Sequence, residues 1–324
     1  MYQNLKDKLK KILPKKFMNF YRFYRYPLHR KLKISFGEKY IYKDDEGSEL
    51  IYKKLLKGKA CFVGRFGWLE LETVLSYVRL CEKSKIIFDP ELKRKMNANA
   101  GFFPADDKKL SRFSYESLQV LADTDILAVC FSRGDEVLVE KFAPNVKLVE
   151  FSCIGDDLAF YENPWSRYLK DKKVLVIHPF ADTIKKQYTK RKLLFKNPEV
   201  LPEFELINYK PIQSAGDASK SLPYSDWFEV LEHMQNDISK IDFDIALVGA
   251  GAYGFFLGHF CKSLGKQAVH VGGALQLLFG IKGARWVNEY PAEFGKALFN
   301  DHWIFPNESE RPPGAEKIES ACYW

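Results

Sequence analysis

Three short segments carry side chains whose types and spacing suit chemistry on an anionic ligand. The first is FDIALVGAGAYGFFLGHFCKSLGKQAVHVGG, residues 243–273, in which Gly249, Ala250, Gly251 and Gly254 form G-x-G-x-x-G after an apolar run. Glycines admit a ligand close to the backbone, and the N–H groups of a helix start favour a phosphate. A tight strand-to-helix turn needs the same glycines for packing, so both roles are open. A dinucleotide would also want an acid about 20 residues on, to hold its ribose. The next run instead ends at His270, followed by Gly272 and Gly273, which leaves a nucleoside diphosphate as the better ligand.

The second segment is CFVGRFGWLELETVLSYV, residues 61–78. Arg65 stands in a turn flanked by Gly64 and Gly67, just before a helical pattern that begins near Trp68. A guanidinium there can hold a phosphate with two parallel hydrogen bonds. Glu70 and Glu72 fall about 200° apart around a regular helix, so both do not readily turn toward one ion. One of them can face a ligand near the turn, and an Arg–Glu surface pair is the plain alternative. The third segment, KVLVIHPFADTIKKQY at 173–188, delivers His178 to the end of an apolar run, with Asp182 shortly after. His178 suits a base, a phosphate donor, a metal ligand or a structural hydrogen bond. Asp156 and Asp157, and Arg133 and Asp135, follow other apolar runs, where turn chemistry accounts for them equally well. Trp227, Gln276, Arg285 and Trp286 can line a sugar or base site, although aromatic core is the default for the tryptophans. No G-x-S-x-G, Walker loop, HExxH or zinc-finger spacing occurs.

These residues need strands that end where they stand. Short β-branched runs at 59–63, 85–88, 126–131, 146–151, 174–178, 243–248 and 267–271 are expected strands. Several are apolar at every position, as parallel strands covered on both faces must be. The clearest helix is 224–240, where Asp226 and Glu229 resemble a capping box ahead of Trp227, Val230, Leu231, Met234, Ile238 and Ile241. The alternation predicts an α/β, Rossmann-like fold, a mainly parallel sheet with helices on both faces. Its strands then share one carboxyl edge, so Arg65, Glu70, His178 and the 249–251 turn are expected to converge on one cleft.

Composition agrees with a globular chain. The 324 residues are 46% hydrophobic and 28% charged, enough for a core without disulfides or structural metal. The six cysteines lie far apart without a C-x-x-C pair, and Cys61, Cys130 and Cys153, in or beside apolar runs, read as reduced core residues. The net charge of +8 is local: residues 1–33 carry +10, and the other 291 residues carry −2. Six aromatics crowd residues 17–26 among these cations. Such a segment suits an anionic membrane surface, where rings settle at the interface and each cation adds about 1 kcal/mol. A packing arm is the alternative. Nucleic acid is disfavoured, because no recognition motif is present and the near-neutral body has no charge to track a phosphate backbone. The expected organisation is a basic aromatic extension over 1–40 and an α/β catalytic domain over 41–324, divisible near 165 into halves 41–165 and 166–324.

Together the first two segments resemble the bacterial GT-D-fold glycosyltransferases. That family has a turn close to RFGDGE, a late strand ending in a glycine turn, and a strand running into a glycine–histidine segment. Here those places read RFGWLE at 65–70, GAG at 249–251 and GKQAVHVGG at 265–273. The resemblance implies a Rossmann-like enzyme that transfers a sugar from a nucleotide diphosphate, here expected to be a UDP-sugar. It implies Arg65 and Glu70 as catalytic residues and Gly249, Ala250, Gly251 and His270 as donor-binding; the strand-end position adds His178 to the first set, and the G-x-G-x-x-G spacing adds Gly254 to the second. It also implies a divalent metal, Mn or Mg. The family's Asp falls at Trp68, so the ligands would be Glu70 with Glu72 or Asp182. A glycan or lipid-linked acceptor at the cytoplasmic, inner face of the cell membrane follows from the same reading. A nucleotide-dependent oxidoreductase and a non-catalytic membrane-associated scaffold are the competing classes.

Overall fold

A computed structural model describes residues 39–83, 85–129 and 134–324. The basic extension over 1–33 and Arg133 lie outside the described residues. Eight strands form one sheet, and every pairing in it is parallel. In chain order they are β1 (Ile41–Tyr42), β2 (Cys61–Arg65), β3 (Ile126–Val129), β4 (Lys147–Glu150), β5 (Lys173–Ile177), β6 (Glu205–Tyr209), β7 (Ile245–Val248) and β8 (Gln267–His270). Across the sheet the order is β1-β4-β3-β2-β8-β7-β5-β6. The chain leaves β2 toward β3 and β4 on one side and leaves β5 toward β6 on the other. Then β7 and β8 fill the gap between β5 and β2, so strands from before and after residue 165 pair directly. Adjacent strands whose chains depart in opposite directions open a crevice at their carboxyl ends, where ligands of such sheets bind.

Helices cover both faces because the strands are apolar on both. Along β2, Phe62 enters one core while Cys61 and Val63 enter the other. Along β7 the split is Ala246 and Val248 against Ile245 and Leu247. The period of two thus assigns every strand-end residue to a face. The first core is completed by α2 (Trp68–Leu80), α3 (Pro90–Ala98), α4 (Asp107–Ala122), α5 (Asp135–Phe142), α8 (Trp227–Ile238) and α9 (Tyr253–Ser263). The second holds α1 (Asp44–Leu56), α6 (Ala181–Tyr188), α7 (Arg191–Leu194), α10 (Leu275–Leu278), α11 (Ala284–Asn288) and α12 (Ala292–Leu298). At the start of α8, Asp226 accepts from Phe228 N–H at 2.8 Å and Glu229 N–H at 3.0 Å. Glu229 reaches one residue further back than a capping box does, to Ser225 N–H at 2.7 Å.

Two sequence expectations change. Residues 85–88 do not form a strand; they lead into Asp89, which caps α3. Phe88 is buried there and its N–H donates to Asp107 at 2.8 Å, so this apolar run anchors a loop. Conversely β1 and β6 are strands that hydrophobic patterning did not single out. Both lie at sheet edges and are only half-buried, so their sequences stay partly polar. Cys61 and Cys153 are buried free thiols, in line with core residues, as are Cys261 and Cys322; Cys81 is exposed, and Cys130 lies outside the described residues. Among the described residues, no helix is long and apolar enough to cross a membrane.

Candidate functional site

Arg65, Glu70, His178, the 249–251 turn and His270 stand on the carboxyl edge, but on two faces. His270 ends β8 toward the first core, and α2 brings Glu70 to the same side. A recess of about 210 Å³, counting solvent at its mouth, is lined there by Gly67, Glu70, Gly251, Ala252, His270 and four phenylalanines with Ser117. His178, Gly249 and Arg65 face the second core.

On the first face, Glu70 folds back over Gly67, the residue that opens α2; a Cβ added at Gly67 would collide with its carboxylate. Burial pushes the Glu70 carboxyl above its usual range, against the pull of its own backbone N–H and Arg65. Trp68 is exposed beside it. The His270 Nδ1 lies 3.0 Å from the Arg65 carbonyl. A carbonyl only accepts, so Nδ1 carries the proton and Nε2 keeps its lone pair. That Nε2 abuts Gly254, where a Cβ would collide with it. Gly254 therefore serves the packing of α9 on β8. Gly251 differs: φ is +53°, it is exposed, and a Cβ there would meet nothing within 4 Å. Of the three glycines, this one leaves room for a ligand at the start of α9.

On the second face, His178 is buried, and its Nδ1 accepts from Phe180 N–H at 3.0 Å. The neutral ring then carries its proton on Nε2. A Cβ at Gly249 would sit 2.6 Å from His178 Cδ2 and 2.7 Å from the Gly272 carbonyl, so only glycine lets β5, β7 and β8 close up here. Burial alone pushes His178 down to about 3, and burial with the Arg65 charge does the same to His270. Both rings are therefore neutral near pH 7.

Arg65 sits between the two halves of the edge. Its guanidinium stacks 4.2 Å from the centre of the Phe151 ring, and a Cβ at Gly272 would lie 2.9 Å from its Nη1. Its Nε is buried without a hydrogen-bond partner, and among the described residues no carboxylate lies within ion-pair distance. Burial lowers its pKa, opposed by Tyr323 and Glu70.

Sequence reading missed the C-terminal segment as part of this edge. Tyr323 rests on Gly273, its OH accepts from Arg285 Nη1 at 3.3 Å, and Glu319 pairs with Arg285. The available signal was the apolar run at 321–324 after a polar stretch, which marks a docked segment. Asp156 also stands here, held by Trp286 Nε1 at 3.2 Å and Tyr290 OH at 2.7 Å. Trp286 and Trp227 are core residues.

The carboxylates named as metal ligands do not assemble. Glu72 is exposed on another side of α2, and Asp182, three-quarters exposed, lies 3.5 Å from Lys210. Among the described residues, no group of three or more His, Cys, Asp or Glu is placed to hold a metal ion. These three carboxylates therefore do not form a ready-made site for the divalent ion that the resemblance implies.

No family model and no curated protein matches the chain. Solved structures with a similar chain path include a selenomethionine-substituted domain of unknown function 1792, with a TM-score of 0.40 and 14% identity over 86% of this chain and 94% of that one. A second, of the same domain and described as having a distinct glycosyltransferase fold, gives 0.39 and 14% over the same shares. A third, described as a new glycosyltransferase from Streptococcus sanguinis, gives 0.34 and 13% over 84% and 96%.

Proposed function

We propose that the chain is a glycosyltransferase, moving a sugar from a nucleoside diphosphate, by expectation uridine diphosphate, to a hydroxyl of a cell-surface glycan or lipid-linked acceptor. The observation that carries this reading is Arg65: a guanidinium largely withdrawn from water, without a carboxylate at ion-pair distance among the described residues, on the ligand-binding edge of a parallel sheet. A charge in that state is costly unless an anion completes it. In this reading the anion also reaches the open Gly251 turn at the start of α9, whose backbone N–H groups complete its shell from the neighbouring face.

In this reading the acceptor oxygen forms the new bond to the sugar's anomeric carbon while the bond from that carbon to the diphosphate oxygen breaks. Arg65 and the 251–252 backbone stabilise the charge arriving on the leaving diphosphate. Glu70, raised by burial but pulled back by Arg65, orients the acceptor hydroxyl and takes its proton. His178 presents Nε2–H to a phosphate oxygen, and His270 fixes the Arg65 turn through its carbonyl. The basic extension over 1–33 would hold the enzyme on the anionic inner face of the cell membrane, where a lipid-linked acceptor lies.

A thermal-shift panel tests the class. Uridine or guanosine diphosphate at 100 times its dissociation constant is expected to add about 2.7 kcal/mol of stability. A shift with NAD(P)H alone would replace this reading by the oxidoreductase. Sedimentation with anionic liposomes at about 0.1 M salt, where the Debye length is about 10 Å, tests the membrane contact. Full-length protein left in the supernatant makes residues 1–33 a packing arm.

A further inference from the structure

We infer that Arg285 is the second guanidinium of a metal-independent pyrophosphate site shared with Arg65, and that Glu319 of the C-terminal segment stands in for the anion when the site is empty. The inference rests on the nucleoside-diphosphate reading only for the identity of the natural ligand.

Consecutive glycines make the floor of this site. The Arg65 guanidinium lies over Gly272 and the Tyr323 ring over Gly273, and a side chain at either glycine would displace them. Arg285 lies 4.8 Å from the centre of that same ring and bonds its hydroxyl. Two cations thus flank one phenol, each close enough to bias its titration. Like charges brought together on a partly buried floor repel unless an anion lies between them. A diphosphate carries charge on two groups and matches two planar donor forks.

The anion now on Arg285 is Glu319, while Arg65 has no carboxylate at ion-pair distance among the described residues. Glu319 pairs with Arg285, and its charge reaches Glu70, where it adds to the upward push of burial. It reaches that place through a backbone turn in which Glu319, Ser320 and Ala321 all have positive φ, at 48°, 60° and 57°. Three successive left-handed residues without glycine are unfavourable on their own. They persist because the flanking chain is held: Arg285 N–H donates to Cys322 O at 2.8 Å, Ala284 N–H to Trp324 O at 3.1 Å, and Gln276 Nε2 to Tyr323 O at 3.2 Å. A strained exposed carboxylate on a partly buried arginine is a replaceable partner. Phosphate oxygens on Arg285 release it and relax the turn. The same pair of arginines supplies the positive charge that the unassembled carboxylates do not recruit as a metal ion.

The test is isothermal titration of the full chain with inorganic pyrophosphate in EDTA, then with uridine diphosphate. Wild type is expected to bind pyrophosphate without metal. Arg285→Gln is expected to weaken it by about tenfold or more, the size of a lost charged hydrogen-bond pair. Glu319→Gln, which removes the competitor and leaves both arginines, is expected to tighten it severalfold. Arg285→Lys keeps the charge and guards against misfolding of the glutamine variant; its affinity should fall between the two. Binding that requires added Mg²⁺ or Mn²⁺, no binding at all, or Arg285→Gln and Glu319→Gln both within twofold of wild type would each overturn the inference. Uridine diphosphate binding no tighter than pyrophosphate would instead remove the nucleotide reading and leave the anion site standing.

Discussion

His178 and His270 end neighbouring parts of one sheet edge, are equally buried, and are both pushed down to about 3, yet they are chemically opposite. His178 accepts a backbone N–H at Nδ1 and so offers a proton at Nε2. His270 donates from Nδ1 to a carbonyl and so offers a lone pair. The strand-end position supplies the burial; the neighbour of Nδ1 supplies the role. The two faces of the edge differ in the same way. One holds a recess with a carboxyl and an open glycine turn. The other holds cations, tight glycines and a docked segment.

The largest effect should come from Arg65, whose side chain is on the second face while its carbonyl meets His270 of the first. Arg65→Met is expected to lower donor turnover about 10²- to 10³-fold, as loss of a transition-state charge donor does. Its thermal midpoint should hold or rise, since a desolvated unpaired charge is gone. A variant that loses stability and keeps activity would make Arg65 a structural cation.

Acid should strike the two histidines alike. Their folded pKa values lie below the unfolded value of about 6.5, so between pH 6.5 and 3 the unfolded chain binds protons that the folded one refuses. Stability is therefore complete above pH 6.5 and falls as pH falls, by about 2 kcal/mol per histidine between pH 7 and 5. Urea midpoints at the two pH values measure this. His178→Phe should remove one histidine's share; an unchanged pH slope would show that His178 ionises in the folded protein.

The smallest effects separate the glycines. Gly249→Ala should cost about 1–3 kcal/mol, because its Cβ meets a ring and a carbonyl that cannot both yield. Gly251→Ala should cost only about 1 kcal/mol, for its positive φ, while weakening nucleotide binding. Equal costs, with binding untouched, would erase the distinction between packing glycine and ligand glycine.

Much of this arrangement is legible in the residues. Where an apolar run ends, backbone groups leave the sheet and need polar company, so Arg65, His178 and Gly249 announced themselves as strand-end residues. Even with boundaries shifted by a residue or two at 59–63 and 243–248, the strands were found, because burial on both faces leaves an uninterrupted apolar signal. β6 escaped because an edge strand buries little, and 85–88 misled because a loop anchor and a short strand share the same two or three apolar residues. The functional difference among Gly249, Gly251 and Gly254 was invisible, since it depends on which ring lies opposite each one.

By itself, the sequence determined the local facts: which runs become buried parallel strands, which residues follow them, and that the glycine turn starts a helix. Those rest on periodicity and steric freedom within a dozen residues. Only the tertiary structure decided that β8 lies beside β2, so that His270 meets a carbonyl 205 positions away, and that Glu319 and Tyr323 close over the arginines. Strand order and segment docking are chosen by total burial and by charge pairing across long chain separations, which no local pattern records.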